Sequence, residues 1–341
     1  MSHFSVAVAV PANRMSDAEM TDSSILEAIL DQIMEPFNEN TDIHDYMEFE
    51  DLTEEMKEAY DKKTVDMVQF PDGHRCTVMD SEFYLRFKKI DDGRIVEFLD
   101  KGRKVSAVTK ESAALIYLPE QPFKDFCSFE RYCEEYEDLA QEEDGRWGRW
   151  SNPNAYWDWW TIGGRFSGLL MAKETSETAL FIPREQVSQF VPPTLCNGVK
   201  MRDFDWEGLR KLQMETDERR YKILSEAFLT HDTSVLHGPY SIKEDGIYNI
   251  FGEAVYKAGQ TLQDFMGTRY DNFDPEGQWK NYPLSTFAFI DTDGEWHGKG
   301  EMGWFGVSFN DKEAEAWEEE MQAFLKSLNE DDYLVILDCH I

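Results

Sequence analysis

Two short apolar runs lie far apart in this chain: His3–Val10, rich in valine, and Tyr333–Leu337. Each is short, apolar and branched, and so reads as a buried strand. Two such strands predict a shared sheet that holds the first and last segments together. Between them the sequence alternates other signals. Ser23–Met34 carries Leu26, Ile29, Leu30 and Ile33 on one stripe, a helix that Pro36 closes. A second helix is expected over Leu52–Tyr60, and small hairpins over Phe83–Val108. Helical spacing recurs over Phe123–Ala140 and Trp206–Leu229. Leu169–Ile182 reads as a strand or strand pair, and Ser285–Ile290 as a strand ending in a tight turn at Asp291–Gly294. A last helix follows Asn310, a candidate N-cap with Glu313 placed for a capping box. This mixture predicts an α+β fold: a mixed sheet that includes the N- and C-terminal strands, flanked by helices. The expected organisation is a single compact unit, residues 1–341, decorated by acidic insertions at about 17–63 and 199–278.

Composition narrows the function classes. At 41% hydrophobic and 14% aromatic, the chain is too apolar for a disordered protein. It holds no apolar run near the roughly 20 residues of a membrane span, and Met1–Val10 lacks a signal-peptide pattern. The expectation is a cytoplasmic protein that does not enter a membrane. Five cysteines without a Cys-x-x-Cys pair argue for reduced, buried thiols. The charge is extreme, 68 acidic against 34 basic side chains, for a net −34. That field repels phosphate backbones and attracts basic protein faces. Direct nucleic-acid binding is disfavoured. Mimicry of a nucleic acid, directed at a basic host protein, is one reading of the surface; a solvated acidic exterior on amphipathic helices such as Glu134–Glu143 and Glu313–Glu320 is the plainer one.

The densest motif runs from Asn152 to Leu170, with Trp157, Asp158, Trp159, Trp160, Gly163, Gly164 and Arg165. Strand alternation would put Trp157 and Trp159 on one face, Asp158 and Trp160 on the other. The rings can be core, or an aromatic wall for a planar ligand such as a nucleobase. The paired glycines can form a turn that offers backbone N–H groups to an anion. Arg165 can pair bidentately with phosphate or carboxylate, or close an internal ion pair with Asp158. A second candidate group is His3, His340 and Asp338. If the two terminal strands pair, these residues approach one another, as ordinary core histidines or as a metal or acid–base site. The Gly300–Gly306 segment could cover a site with Trp304 or Phe305, or be a hairpin whose aromatics fill the core. P-loop, nucleophile-elbow and zincin signatures are missing from the sequence.

Four segments resemble an uncharacterised protein family common in bacteriophages and also found in bacterial genomes. They are the start Met1-Ser2-His3-Phe4, the motif from Trp157-Asp158-Trp159 to Gly163-Gly164-Arg165, the segment Gly-Glu-Met-Gly-Trp-Phe-Gly over Gly300–Gly306, and the ending Asp338-Cys339-His340-Ile341. The chain departs at Trp160, where the family more often has Tyr, and at Phe166, where it more often has Trp; both keep an aromatic. The resemblance implies a phage setting and a shared site, and no reaction. The function expected is a phage-encoded accessory protein in the host cytoplasm. It would act on host physiology or defence by binding a small anionic ligand, such as a nucleotide, at Trp157–Arg165 and Trp304, or by binding a basic host protein. The alternative is an enzyme, a hydrolase or transferase acting on a nucleotide-like metabolite through His3, Asp338 and His340.

Overall fold

In the computed structural model, His3–Val10 and Tyr333–His340 pair antiparallel along their full length, from His3 opposite His340 to Val10 opposite Tyr333. The structure describes residues 2–16, 23–70, 73–77, 116–183, 192–236, 238–250, 252–266, 282–303 and 306–341. The hairpins expected over 83–108 lie outside them. Contacts divide the chain into two units, 1–41 with 154–341, and 42–153, where the sequence reads as one.

The first unit is built on a mixed sheet. Its strands are β1 (His3–Val10), β2 (Trp159–Ile162), β3 (Leu170–Met171), β4 (Leu180–Phe181), β5 (Leu195–Lys200), β6 (Ala288–Ile290), β7 (Trp296–Gly298) and β8 (Tyr333–His340). The order is β4-β5-β8-β1-β6-β7, with β3 also on β5 and β2 also on β8; β1 and β6 run parallel. The architecture is therefore α+β, with the first and last strands at the sheet's centre. The β8 strand meets β1 along one edge. Its other edge is shared: Tyr333–Val335 pair with β5, and Leu337–His340 with β2.

Pleat alternation sends β1 side chains to two cores. Phe4, Val6, Val8 and Val10 face helix α1 (Ser23–Met34), which contributes Leu26, Leu30, Ile33 and Met34. Ala7 and Ala9 face the other side, and their small side chains suit the close approach of helices α2 (Trp206–Thr230) and α3 (Ala314–Ser327). Asp205 caps α2, its Oδ1 accepting from Gly208 N at 2.9 Å. The expected cap on α3 is not formed. Asn310 adopts a left-handed conformation, φ 52°, and its amide turns to Glu301; Glu313 is the capping position and makes no side-chain cap. Residues 199–257 are no mere decoration of this unit: they include the end of β5, α2, and a meander of Ser241–Lys243, Gly246–Tyr248 and Ala254–Lys257 whose Ile247 and Tyr256 pack with Leu224 and Ala227 of α2.

The second unit carries a helix at Thr53–Lys62 and two small antiparallel sheets around Phe123, Tyr132, Cys133 and Trp147. Its Phe123–Ala140 stretch is not one helix. Ser128 starts a fresh turn, its Oγ accepting from Arg131 N, and Tyr132–Tyr136 widens to a π turn. No described helix is long and apolar enough to cross a membrane.

All five cysteines are buried and unpaired. Burial pushes the Cys196 thiol up to about 12 from 9.0, and lifts Cys339 well above 9.0, with the Asp338 charge adding to the effect. A raised folded-state value stabilises the fold below the unfolded value and is lost above it. The urea midpoint should therefore fall as pH rises from about 9 towards about 12, and Cys196→Ala should flatten that fall. In the sheet, Ile336 is fully buried at the centre of β8. Ile336→Ala should cost about 2–5 kcal/mol in urea unfolding.

Candidate active site

The register of β1 and β8 places His3 and Ser5 beside Asp338 and His340, on the face that carries α2 and α3. His3 Nδ1 lies 2.8 Å from Asp338 Oδ1. His340 Nδ1 lies 2.7 Å from Asp158 Oδ1, and Asp158 N also donates to His340 O at 2.9 Å. An ionised carboxylate can only accept, so opposite one each imidazole donates from Nδ1 and leaves Nε2 directed away from the carboxylate. The two rings stand edge to face, centroids 5.1 Å apart. Trp159, opposite His340 in the register, stacks on His340 at 5.1 Å and meets His3 edge-on at 5.2 Å. Trp159 is 43% exposed, whereas the side chains of His3, His340 and Asp338 are at most 10% exposed. His340 Nε2 is buried and has no hydrogen-bond partner among the described residues.

The loop after β2 closes the site from the side. Gly163 N donates to Ile336 O, where β8 changes neighbours from β5 to β2. Arg165 N then donates to Asp338 Oδ2 at 2.8 Å. Both glycines have positive φ, 71° and 49°, and a Cβ at Gly164 would collide with the Asp338 carboxylate. Asn197 steadies the same loop, accepting from Gly168 N and donating to Ser167 Oγ. Next to His3, Ser2 Oγ donates to Gly303 O at 2.5 Å and accepts from Gly306 N at 2.7 Å, tying those two glycines to the start of β1.

The structure thus gathers His3, Asp338 and His340 with Asp158 and Trp159, two candidate groups that the sequence kept apart. It changes other expectations. Trp157 and Trp160 pack on the opposite side of the sheet with α1, and Trp157 Nε1 donates to Met34 O at 3.2 Å. Trp157 precedes β2 and does not follow its alternation, so it does not share a face with Trp159. An ion pair of Arg165 with Asp158 is not formed: Asp158 is engaged by His340, and the exposed Arg165 guanidinium has no partner among the described residues. The carboxylate held over the Gly163-Gly164 turn is the protein's own Asp338. Trp304 lies outside the described residues, as does Phe305. Among the described residues no group of three or more His, Cys, Asp or Glu side chains is arranged to hold a metal ion. Two supporting residues escaped the sequence reading, Ser5 and Asn197. Each is a polar residue in a mostly apolar strand, and that was the available signal.

Comparison with protein-family models, with curated proteins and with solved structures finds no match to this chain.

Gly164→Ala should destabilise the fold by about 1–3 kcal/mol, the scale of a strained backbone position, and should detach the loop from Asp338. Thermal unfolding checks the first effect. The second should appear as faster amide exchange at Arg165, whose N–H is bound to Asp338.

Proposed function

We propose that the His3–Asp338 and His340–Asp158 pairs form a general acid–base centre acting on a small anionic ligand. The observation that carries this reading is His340 Nε2, a buried nitrogen without a partner among the described residues, on a ring fixed by a carboxylate. Leaving such an atom unpaired costs about 1–3 kcal/mol. Buried groups left in that state call for a reason, and ligand chemistry supplies one. With Nδ1 held by a carboxylate, a neutral ring accepts a proton at Nε2 and the resulting imidazolium is stabilised.

The chemistry is a hydrolysis or group transfer at a phosphoryl or acyl centre. A neutral imidazole takes the proton of an attacking water or hydroxyl as its oxygen bonds to phosphorus or carbon. A protonated imidazole gives its proton to the departing oxygen as the old bond breaks. Rings 5.1 Å apart can serve one reacting centre. The exposed Arg165 guanidinium offers a bidentate partner for the anionic group, and the exposed face of Trp159 offers a surface for stacking. Those last two features also favour a second reading, a protein that holds the same ligand without changing it. The setting, a phage accessory protein acting in host cytoplasm against host physiology or defence, rests on the motif resemblance. Capture of a basic host protein rests on the net charge.

The test is turnover of p-nitrophenyl phosphate, p-nitrophenyl acetate and ATP by the purified protein. His3→Ala and His340→Ala should each lower kcat by about 10²–10⁴-fold, whereas Arg165→Ala should act mainly on KM. Turnover that survives both histidine changes would sink the acid–base reading. Calorimetric binding of ATP that depends on Arg165 without any turnover would establish the binding reading.

A further inference from the structure

The face of the sheet that carries the two imidazoles also floors a cavity of about 800 Å³ between α2 and α3. Ser5 belongs to its wall, and His3 lies two residues along the same strand and on the same face, about 7 Å away. The loop that starts on Asp338 at Gly164 and Arg165 reaches the cavity wall at Gly168. One loop and one strand therefore connect the acid–base pair to the cavity. Its volume falls within the roughly 300–1,000 Å³ of small-molecule pockets.

The lining shows which chemistry it would take. Leu169, Leu209, Leu212, Leu284, Trp317 and Met321 form the apolar part. Several of the polar side chains around them are committed to backbone, while Asp217, Ser285 and Glu318 also line the cavity. Gln213 Nε2 donates to Pro283 O, Thr216 Oγ1 to Leu212 O and Thr286 Oγ1 to Ala288 O. Gln322 both accepts from Tyr282 N and donates to Tyr282 O, and Ser5 Oγ accepts from Phe287 N. A hydroxyl-rich ligand would bring polar groups to walls whose donors are already spent, and unpaired polar groups are costly to bury. An apolar body carries no such cost. The Tyr282 hydroxyl has no hydrogen-bond partner among the described residues, and burial raises its pKa, which keeps it a neutral donor. Lys299 stands at the wall, paired with Asp311 at 3.4 Å.

We propose that this cavity holds the apolar body of an amphiphilic ligand whose anionic or ester group lies at His3 and His340. The ligand class is a compact aromatic or acyl compound carrying one phosphate, carboxylate or ester. The proposal rests on the acid–base reading for the position of the head group, and on the cavity for the body.

The probe is 1-anilinonaphthalene-8-sulfonate, an apolar aromatic body with one anionic group, titrated by fluorescence into the folded full-length protein. The wild type should show saturable enhancement at a single site. Leu212→Glu sets a carboxylate into the apolar wall and should weaken apparent affinity at least about tenfold. Thr216→Trp, on the exposed mouth of the same wall, should do likewise if Leu212→Glu fails to fold. His340→Ala should weaken probe affinity by about 2–10-fold, because the sulfonate loses its partner at that ring, while lowering turnover as described above. No saturable enhancement, or wild-type affinity in both cavity variants, would overturn the cavity proposal whatever the turnover result. Unchanged turnover in His340→Ala with the probe still displaced by Leu212→Glu would overturn the acid–base reading and leave the cavity standing.

Discussion

Everything in the first unit depends on the antiparallel register of β1 and β8. These two strands are buried almost throughout, and they sit side by side at the centre of the sheet. A slip of one residue would turn the side chains of either strand to the other face. It would bury His3, Ser5, Asp338 and His340 against α1 and expose valines to α2 and α3. Both cores therefore oppose the slip, and the imidazoles meet because the valines and leucines do. The site is positioned by hydrophobic burial several residues away from it.

The second constraint is that carboxylates do not stay buried without partners. Asp338 accepts from His3 with one oxygen and from Arg165 N with the other. Satisfying that second oxygen requires backbone to pass very close to it, which explains the two glycines with positive φ. The loop can reach that position because β8 changes neighbours from β5 to β2 just there. Asp158 is fixed by the same strand junction through its backbone bond to His340. Sheet topology, glycine placement and the orientation of both rings are thus parts of one solution to a buried charge.

Local signals were legible in the sequence where a single element decides them. The strand at His3–Val10 and the helix at Ser23–Met34 match the expected bounds, and the meeting of His3, His340 and Asp338 follows from pairing the two terminal strands. What could not be read depends on partners far off in the chain. Trp157 looked like part of an alternating strand, yet β2 begins two residues later and Trp157 goes instead to Met34 and α1. Helical spacing over Phe123–Ala140 was real, but Ser128 offers the backbone a new cap within it. Asn310 has the chemistry of an N-cap and was claimed by Glu301. The cavity is assembled from residues 5, 168–169, 209–217, 282–287, 299 and 314–322, so no local window contains it.

The net charge of −34 bears on how a ligand could arrive at this site. The long-range field repels an anion, so steering is unavailable. At physiological ionic strength that field decays over about 8 Å, and only nearby groups count at the point of contact. At the imidazoles, Asp338 and Asp158 are each bonded to a ring and the exposed Arg165 adds a positive group, while the cavity wall adds Asp217 and Glu318 beside Lys299. Repulsion at a distance is then offset by attraction over one contact, which leaves little electrostatic surplus for affinity. The remaining source of binding free energy is burial of apolar surface, which is independent of sign and weakly sensitive to salt. For the anionic ligand proposed above, burial of its apolar body in the cavity between α2 and α3 is therefore the larger source of affinity.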